Sequence, residues 1–176
     1  MKREVIFIGG IHGAGKSTLC SKLVSNLQIP HYSASQLIKN ANEGLFKKDK
    51  TVTDVSKNQD VLLSAIDEFV SEPCFLLDGH FALFDSDHNV QLVPAATFAS
   101  MGLTAICVVT CDVNVVLERI ATRDGIRHDK SAYETLNHSE IAHAKVIAER
   151  LNIPLFLQNT NNDVRELTKF ISEHLE

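Results

Sequence analysis

Eight consecutive residues near the start of the chain, Gly10-Ile11-His12-Gly13-Ala14-Gly15-Lys16-Ser17, fit the spacing G-x-x-x-x-G-K-[ST]. This segment constrains the fold on both sides. Its glycines let the backbone turn tightly, so that successive N–H groups converge on an anion. A helix should follow, adding the partial positive charge of its N-terminus, and a buried strand should precede. Both patterns are present. Residues 4–9 hold the continuous apolar run Val5-Ile6-Phe7-Ile8, as expected of a strand covered on both faces. Over 16–27, Leu19, Cys20, Leu23, Val24 and Leu27 recur on one helical face. The loop is therefore expected to bind phosphate. Lys16 would reach the β- and γ-phosphates, and the Ser17 hydroxyl would join a Mg²⁺ shell. His12 lies inside the loop, where a solvent-facing filler is the default reading and a direct catalytic role the alternative.

The rest of the chain repeats the alternation. Short apolar runs predict strands near 30–33, 74–78, 104–110 and 154–157. Helical periodicity covers 34–41, 54–71, 112–121 and 131–151, with a short helix from Pro94 and a last one capped by Asn162 or Asp163. Residues 44–53, with Lys47-Lys48-Asp49-Lys50, read as a polar connection, and 79–93 as irregular. Strands alternating with helices predict an α/β fold, a parallel sheet with helices on both faces. Ligands of such sheets sit at the carboxyl ends of the strands. The 176 residues suffice for one domain.

Composition narrows the partners. With 17 Lys+Arg against 22 Asp+Glu, the net charge of -5 disfavours non-specific nucleic-acid binding. No apolar run approaches the ~20 residues of a membrane helix, so no membrane is expected as partner. The four cysteines form no C-x-x-C and read as reduced thiols, which points to a cytoplasmic protein.

Two further groups carry chemistry. Leu76-Leu77-Asp78-Gly79-His80 puts a carboxylate at the end of a buried strand, where a metal role is preferred over a simple strand cap. His80 fits three roles: substrate contact, orientation of Asp78, or a hydrogen-bonded structural histidine. Three of the six arginines, Arg119, Arg123 and Arg127, fall within nine residues at intervals of four. Like charges on one helical stripe repel unless anions neutralise them. A solvated face with Glu118 and Asp124 as local partners is the alternative. Beside a phosphate loop, the stripe becomes a lid candidate with Gly125 as its flexible point.

The loop, Asp78-Gly79-His80 and the segment Val115-Val116-Leu117-Glu118-Arg119-Ile120-Ala121-Thr122-Arg123 together resemble the adenylate kinase family of P-loop nucleotide kinases. The archaeal-type enzymes and the nuclear adenylate kinase-like ATPase are the members in point. The resemblance implies a three-layer P-loop NTPase core with a parallel five-stranded sheet and helices on both faces. It implies a single P-loop kinase domain over 1–176, with an acceptor-binding region about 31–72 and a lid about 119–138. The implied activity is Mg²⁺-dependent transfer of the ATP γ-phosphoryl group to AMP. By position, Gly10, His12, Gly13, Ala14, Gly15, Lys16, Ser17, Thr18 and Arg119 would bind ATP, and Ser17 and Asp78 the metal. Lys16, Arg119, Arg123 and Arg127 would be catalytic, and Ser33, Ser35, Gln36, Lys39 and His80 would meet the acceptor.

The acceptor region departs from the family. No arginine lies between Arg3 and Arg119; Lys39, Lys57 and His80 are the nearby cations. A lysine does not reproduce the bidentate fork of an arginine on phosphate. The helix after the lid carries His138, Glu140, His143 and Lys145 where a returning arginine is expected. Two alternatives therefore stay open: a kinase for another small metabolite, and an ATPase switch or assembly factor with a protein partner.

Overall fold

The computed structural model describes residues 3–45 and 55–175. The polar connection with Lys47, Lys48 and Lys50, and the side chain of Lys57, lie outside it. Five strands form one parallel sheet: β1 (Glu4–Gly9), β2 (His31–Ser33), β3 (Cys74–Asp78), β6 (Leu103–Thr110) and β7 (Leu155–Asn159), in the order β2-β3-β1-β6-β7. The register puts Ile8 and Ser33 on either side of Asp78, and Cys107 beside Ile8. The carboxyl ends of β1, β2 and β3 therefore open on one edge.

The strand alternation divides the core in two. Val5 and Phe7 of β1, Phe75 and Leu77 of β3, and Ile106 and Val108 of β6 pack on one face. They meet α2 (Ala34–Leu45), α3 (Val55–Phe69), α4 (Ala95–Ser100) and the later turns of α6 (Lys130–Leu151). Ile6, Ile8, Leu76, Ala105, Cys107 and Val109 face the other way, against α1 (Lys16–Leu27), α5 (Val113–Asp124) and α7 (Arg165–Ser172). A two-residue period thus serves both layers, which is why these strands read as unbroken apolar runs.

Three rings brace the first layer. Phe81 stacks on Phe98 at 4.8 Å, and Phe7 meets both edge-on at 4.9 and 5.3 Å. Phe81 directly follows His80, so the cluster holds a cleft segment against the core. Phe98 is 1% exposed. Phe98→Ala is predicted to lower the unfolding free energy by about 3–5 kcal/mol in urea titration. A loss under about 1 kcal/mol would mean that the neighbours collapse into the gap.

Three segments differ from the sequence expectation. Residues 79–93 are not wholly irregular: β4 (Ala82–Phe84) and β5 (Val90–Leu92) pair antiparallel around a turn in which Asp85 Oδ1 accepts from the Asp87 and Asn89 N–H groups. Three-residue strands are too short for a period to show. α2 continues past 41 to Leu45, because Leu37, Ile38 and Ala41 pack inward and Gly44 does not break the helix. α5 runs on to Asp124, closing at Gly125 (φ 70°), whose N–H donates to the Ala121 carbonyl. Its last turn, Thr122-Arg123-Asp124, has no apolar residue to signal it. Asp112, Asp129 and Asp163 each accept a backbone N–H at the start of α5, α6 and α7.

Candidate active site

A cavity of about 570 Å³ opens at the carboxyl edge of the sheet. The turn from Gly13 through Thr18 forms one wall, and Arg119 and Arg123 of α5 stand over it. Asp78 and His80 lie deep, with Ser33 and Ser35 beside them. Gln158 of β7, with Thr160 and Asn162 just after the strand, also lines the cavity.

The glycine turn needs its glycines. Gly13 (φ 82°) and Gly15 (φ 100°) adopt the left-handed region. A Cβ on Gly13 would stand 3.0 Å from Ile120 and 3.1 Å from Val116, so α5 packs against bare backbone there. Lys16, 8% exposed, folds over the turn and donates from Nζ to the Gly10 carbonyl (2.5 Å) and the Ile11 carbonyl (3.2 Å). Burial pushes its ammonium below the ordinary lysine value, while the carboxylates of Glu140 and Asp78 pull the other way.

Asp78 is buried at the end of β3. Its Oδ2 is held by His31 Nε2 at 2.6 Å, and the Ser33 hydroxyl stands 3.5 Å from Oδ1. One oxygen is thus fixed by a neighbouring strand, and the other makes only that long contact among the described residues. A serine hydroxyl and a carboxylate lining the same cavity are hard oxygen donors of the kind Mg²⁺ takes, so Ser17 and Asp78 fit that ion. Cys20 Sγ also lies within 4.8 Å of the His31 and Asp78 ligand atoms, but the thiol is fully buried and its pKa is pushed up to about 12.

The arginines separate. Arg119 Nη1 donates to the Gly13 carbonyl at 3.3 Å, and Arg123 contacts the His12 ring and forks onto Asp124 at 2.7 Å. Arg123 and Asp124 thus form the local pair that was the alternative to an anion site, while Arg123 still lines the cavity. Burial and the Arg123 charge lower the His12 pKa. Arg127 lies beyond Gly125, exposed and away from the cavity lining.

Of the residues expected to meet an acceptor, Ser33 and Ser35 share a 3.0 Å hydrogen bond in the cavity wall. Gln36 and Lys39 do not join them: Gln36 bonds Asn40, and Lys39 pairs with Glu43 on the exposed face of α2. His80 is held against the Gly10 backbone, and burial lowers its pKa to about 3, so it is neutral. His31, not His80, grips Asp78.

Three contributors lie outside the motifs that the sequence displays. His31 and Glu140 act across 47 and 130 residues of separation. The Thr160 hydroxyl is buried, has no hydrogen-bond partner among the described residues, and lines the cavity near Gly15. The polar run after β7 is the one hint of it.

A phosphate-type glycine loop at the carboxyl edge of a 2-3-1-6-7 parallel sheet, with Arg119 and Arg123 lining the same cavity, defines a P-loop protein with a kinase fold. Residues 9–137 match the family described as AAA domain, and the chain belongs to that P-loop family. It is 33% identical over 138 residues to the adenylate kinase of Streptococcus uberis; the match covers 72% of this chain and 62% of that enzyme's length. Shikimate kinase from Acinetobacter baumannii, solved with shikimate, shares the fold at a TM-score of 0.61 and 16% identity over 97% of this chain and 91% of its own. A gluconokinase from Sinorhizobium meliloti gives 0.55 and 16% over 96% and 89%. No helix of the described residues is long and apolar enough to cross a membrane.

Proposed function

We propose that the protein is an ATP-dependent phosphotransferase that moves the γ-phosphoryl group of ATP to a small acceptor, with a nucleoside monophosphate, AMP first, as that acceptor. The supporting observation is convergence: Lys16, Asp78, Arg119 and Arg123 come from separate parts of the chain and line one cavity over the glycine turn. Backbone N–H groups and Lys16 would hold the β- and γ-phosphates. Ser17 and Asp78 would hold Mg²⁺, which neutralises phosphate charge when bound. Arg119 and Arg123 would lie along the phosphates and take up charge as the terminal P–O bond breaks and ADP leaves. Thr160, with Gln158 and Asn162, would face the rest of the nucleotide. The adenylate kinase relative supports AMP.

A specific observation favours a second acceptor class, a hydroxyl-bearing metabolite without phosphate. The acceptor wall of the cavity is Ser33, Ser35, Asp78 and neutral His80, hydroxyls and a carboxylate, with Lys39 turned away. Such a wall suits a neutral hydroxyl group better than a dianion. The shikimate kinase and gluconokinase of like fold accord with that class.

The test is a coupled ADP assay across nucleoside monophosphates, sugars and hydroxy acids, with a no-acceptor control. ATP plus AMP yielding two ADP is the expected result. Turnover with a hydroxylic metabolite alone would move the assignment to the second class. ATP hydrolysis that no acceptor stimulates, but a protein partner does, would overturn both.

A further inference from the structure

Helix α6 carries one residue that its packing does not require. Glu140 lies between Leu136 and Ala144 on the buried face and is fully buried. An apolar side chain would fill that position at less cost, since a carboxylate loses its hydration there. Its oxygens are fully engaged instead. Oε1 accepts the Gly10 N–H at 2.7 Å, and Oε2 accepts the N–H groups of Phe81 (2.9 Å) and Ala82 (2.6 Å).

Those three donors belong to the two segments that build the cleft. Gly10 opens the glycine turn; its own carbonyl accepts Lys16 Nζ, and its backbone lies against the His80 ring. Phe81 and Ala82 are the first residues after Asp78-Gly79-His80. One carboxylate therefore ties the start of the phosphate turn to the end of the Asp78 segment. Gly9 makes room for the tie: a Cβ there would fall 2.4 Å from the Phe81 ring and 3.4 Å from Glu140 Oε1.

We propose that Glu140 is a positioning residue: its carboxylate fixes the Gly10 peptide, and through it Lys16, relative to the Asp78 segment. This rests on the phosphotransferase reading of the cleft. Losing the anion would loosen the turn against Asp78 without removing any group that touches substrate. The loss should therefore fall on kcat more than on nucleotide affinity.

The test compares Glu140→Gln with Ile147→Ala, a large-to-small change two turns further along the same buried helix face, whose apolar side chain accepts no hydrogen bond from either segment. The glutamine side chain keeps the shape but offers one acceptor oxygen to three donors. Three quantities are measured on each: melting temperature, affinity for a fluorescent ATP analogue, and kcat with the acceptor the wild type uses best, or for ATP hydrolysis if none is used. Glu140→Gln is expected to lower kcat roughly tenfold to a hundredfold while analogue affinity changes less than about threefold. Ile147→Ala is expected to lose as much melting temperature with kcat kept. If kcat of the two variants falls in step with melting temperature, Glu140 is structural only and the proposal fails. If Glu140→Gln does not fold, Glu140→Asp is judged by the same comparison: a carboxylate one methylene short should cost kcat while binding persists, and wild-type kcat would overturn the proposal. Failure of the wild type to bind the analogue would instead remove the phosphotransferase reading itself.

Discussion

Lys16→Ala is expected to cut phosphoryl transfer by about 10²–10³ in kcat, the scale of removing one charged group that acts on developing transition-state charge. The side chain is well placed for so large an effect. It emerges from the first turn of α1, is 8% exposed, and lies across the glycine turn on the Gly10 and Ile11 carbonyls. Its charge is therefore held in a poorly hydrated place, where an ionic contact is worth more than at the surface. Lys16→Met keeps the aliphatic stem and should show the same loss with a smaller fall in melting temperature, which separates charge from packing. Measurement is by the coupled ADP assay with thermal melting on the same samples. A kcat within about threefold of wild type in either variant would show that the terminal phosphate does not sit on this turn.

Where a local period or spacing exists, the sequence was enough. β1, the glycine turn and α1 form one continuous signal, because tight turning, burial and helix onset are each written in adjacent residues. The core strands β3 and β6 were legible for the same reason. The β4–β5 hairpin was not, since three residues carry no period, and its order comes from Asp85 binding its own turn. The ends of α2 and α5 extend past the apolar period because their final turns are largely polar and resemble loops in sequence.

The cleft followed the same division. Ser33, Ser35, Asp78, His80, Arg119 and Arg123 reach the cavity from the positions expected of them. Gln36 and Lys39 do not, because α2 turns on Ala34 and Leu37 and carries those two to its solvent side. Arg127 does not, because Gly125 ends the helix and breaks the four-residue stripe before it arrives. His31 and Glu140 were out of reach of any local rule. Glu140 did leave a trace: a carboxylate in the ladder Leu136, Ala144, Ile147 interrupts an otherwise apolar face and asks what satisfies it.

Asp78→Asn is expected to lower kcat by about 10²–10³ and to raise the Mg²⁺ concentration needed for half-maximal rate. The substitution keeps size and removes one negative charge at a buried position whose geometry is otherwise fixed. Oδ2 is taken by His31 at 2.6 Å, so the partner strand β2 dictates which oxygen turns to the cavity. An amide in its place would offer a weaker, neutral oxygen or an NH₂ group, and neither suits a hard divalent cation. The His31 contact makes a graded companion. His31→Gln leaves the carboxylate but loosens its aim, and should cost roughly tenfold, an order less than losing the charge. Binding gives a readout independent of turnover: Mn²⁺ titrated in the presence of ATP and followed by its paramagnetic signal should bind more weakly to Asp78→Asn than to His31→Gln, and most tightly to wild type. Equal Mn²⁺ affinity in all three would place the cation away from β3. Asp78 would then be left with His31 as a structural pair at the strand end, the alternative that its position in the sequence also allowed.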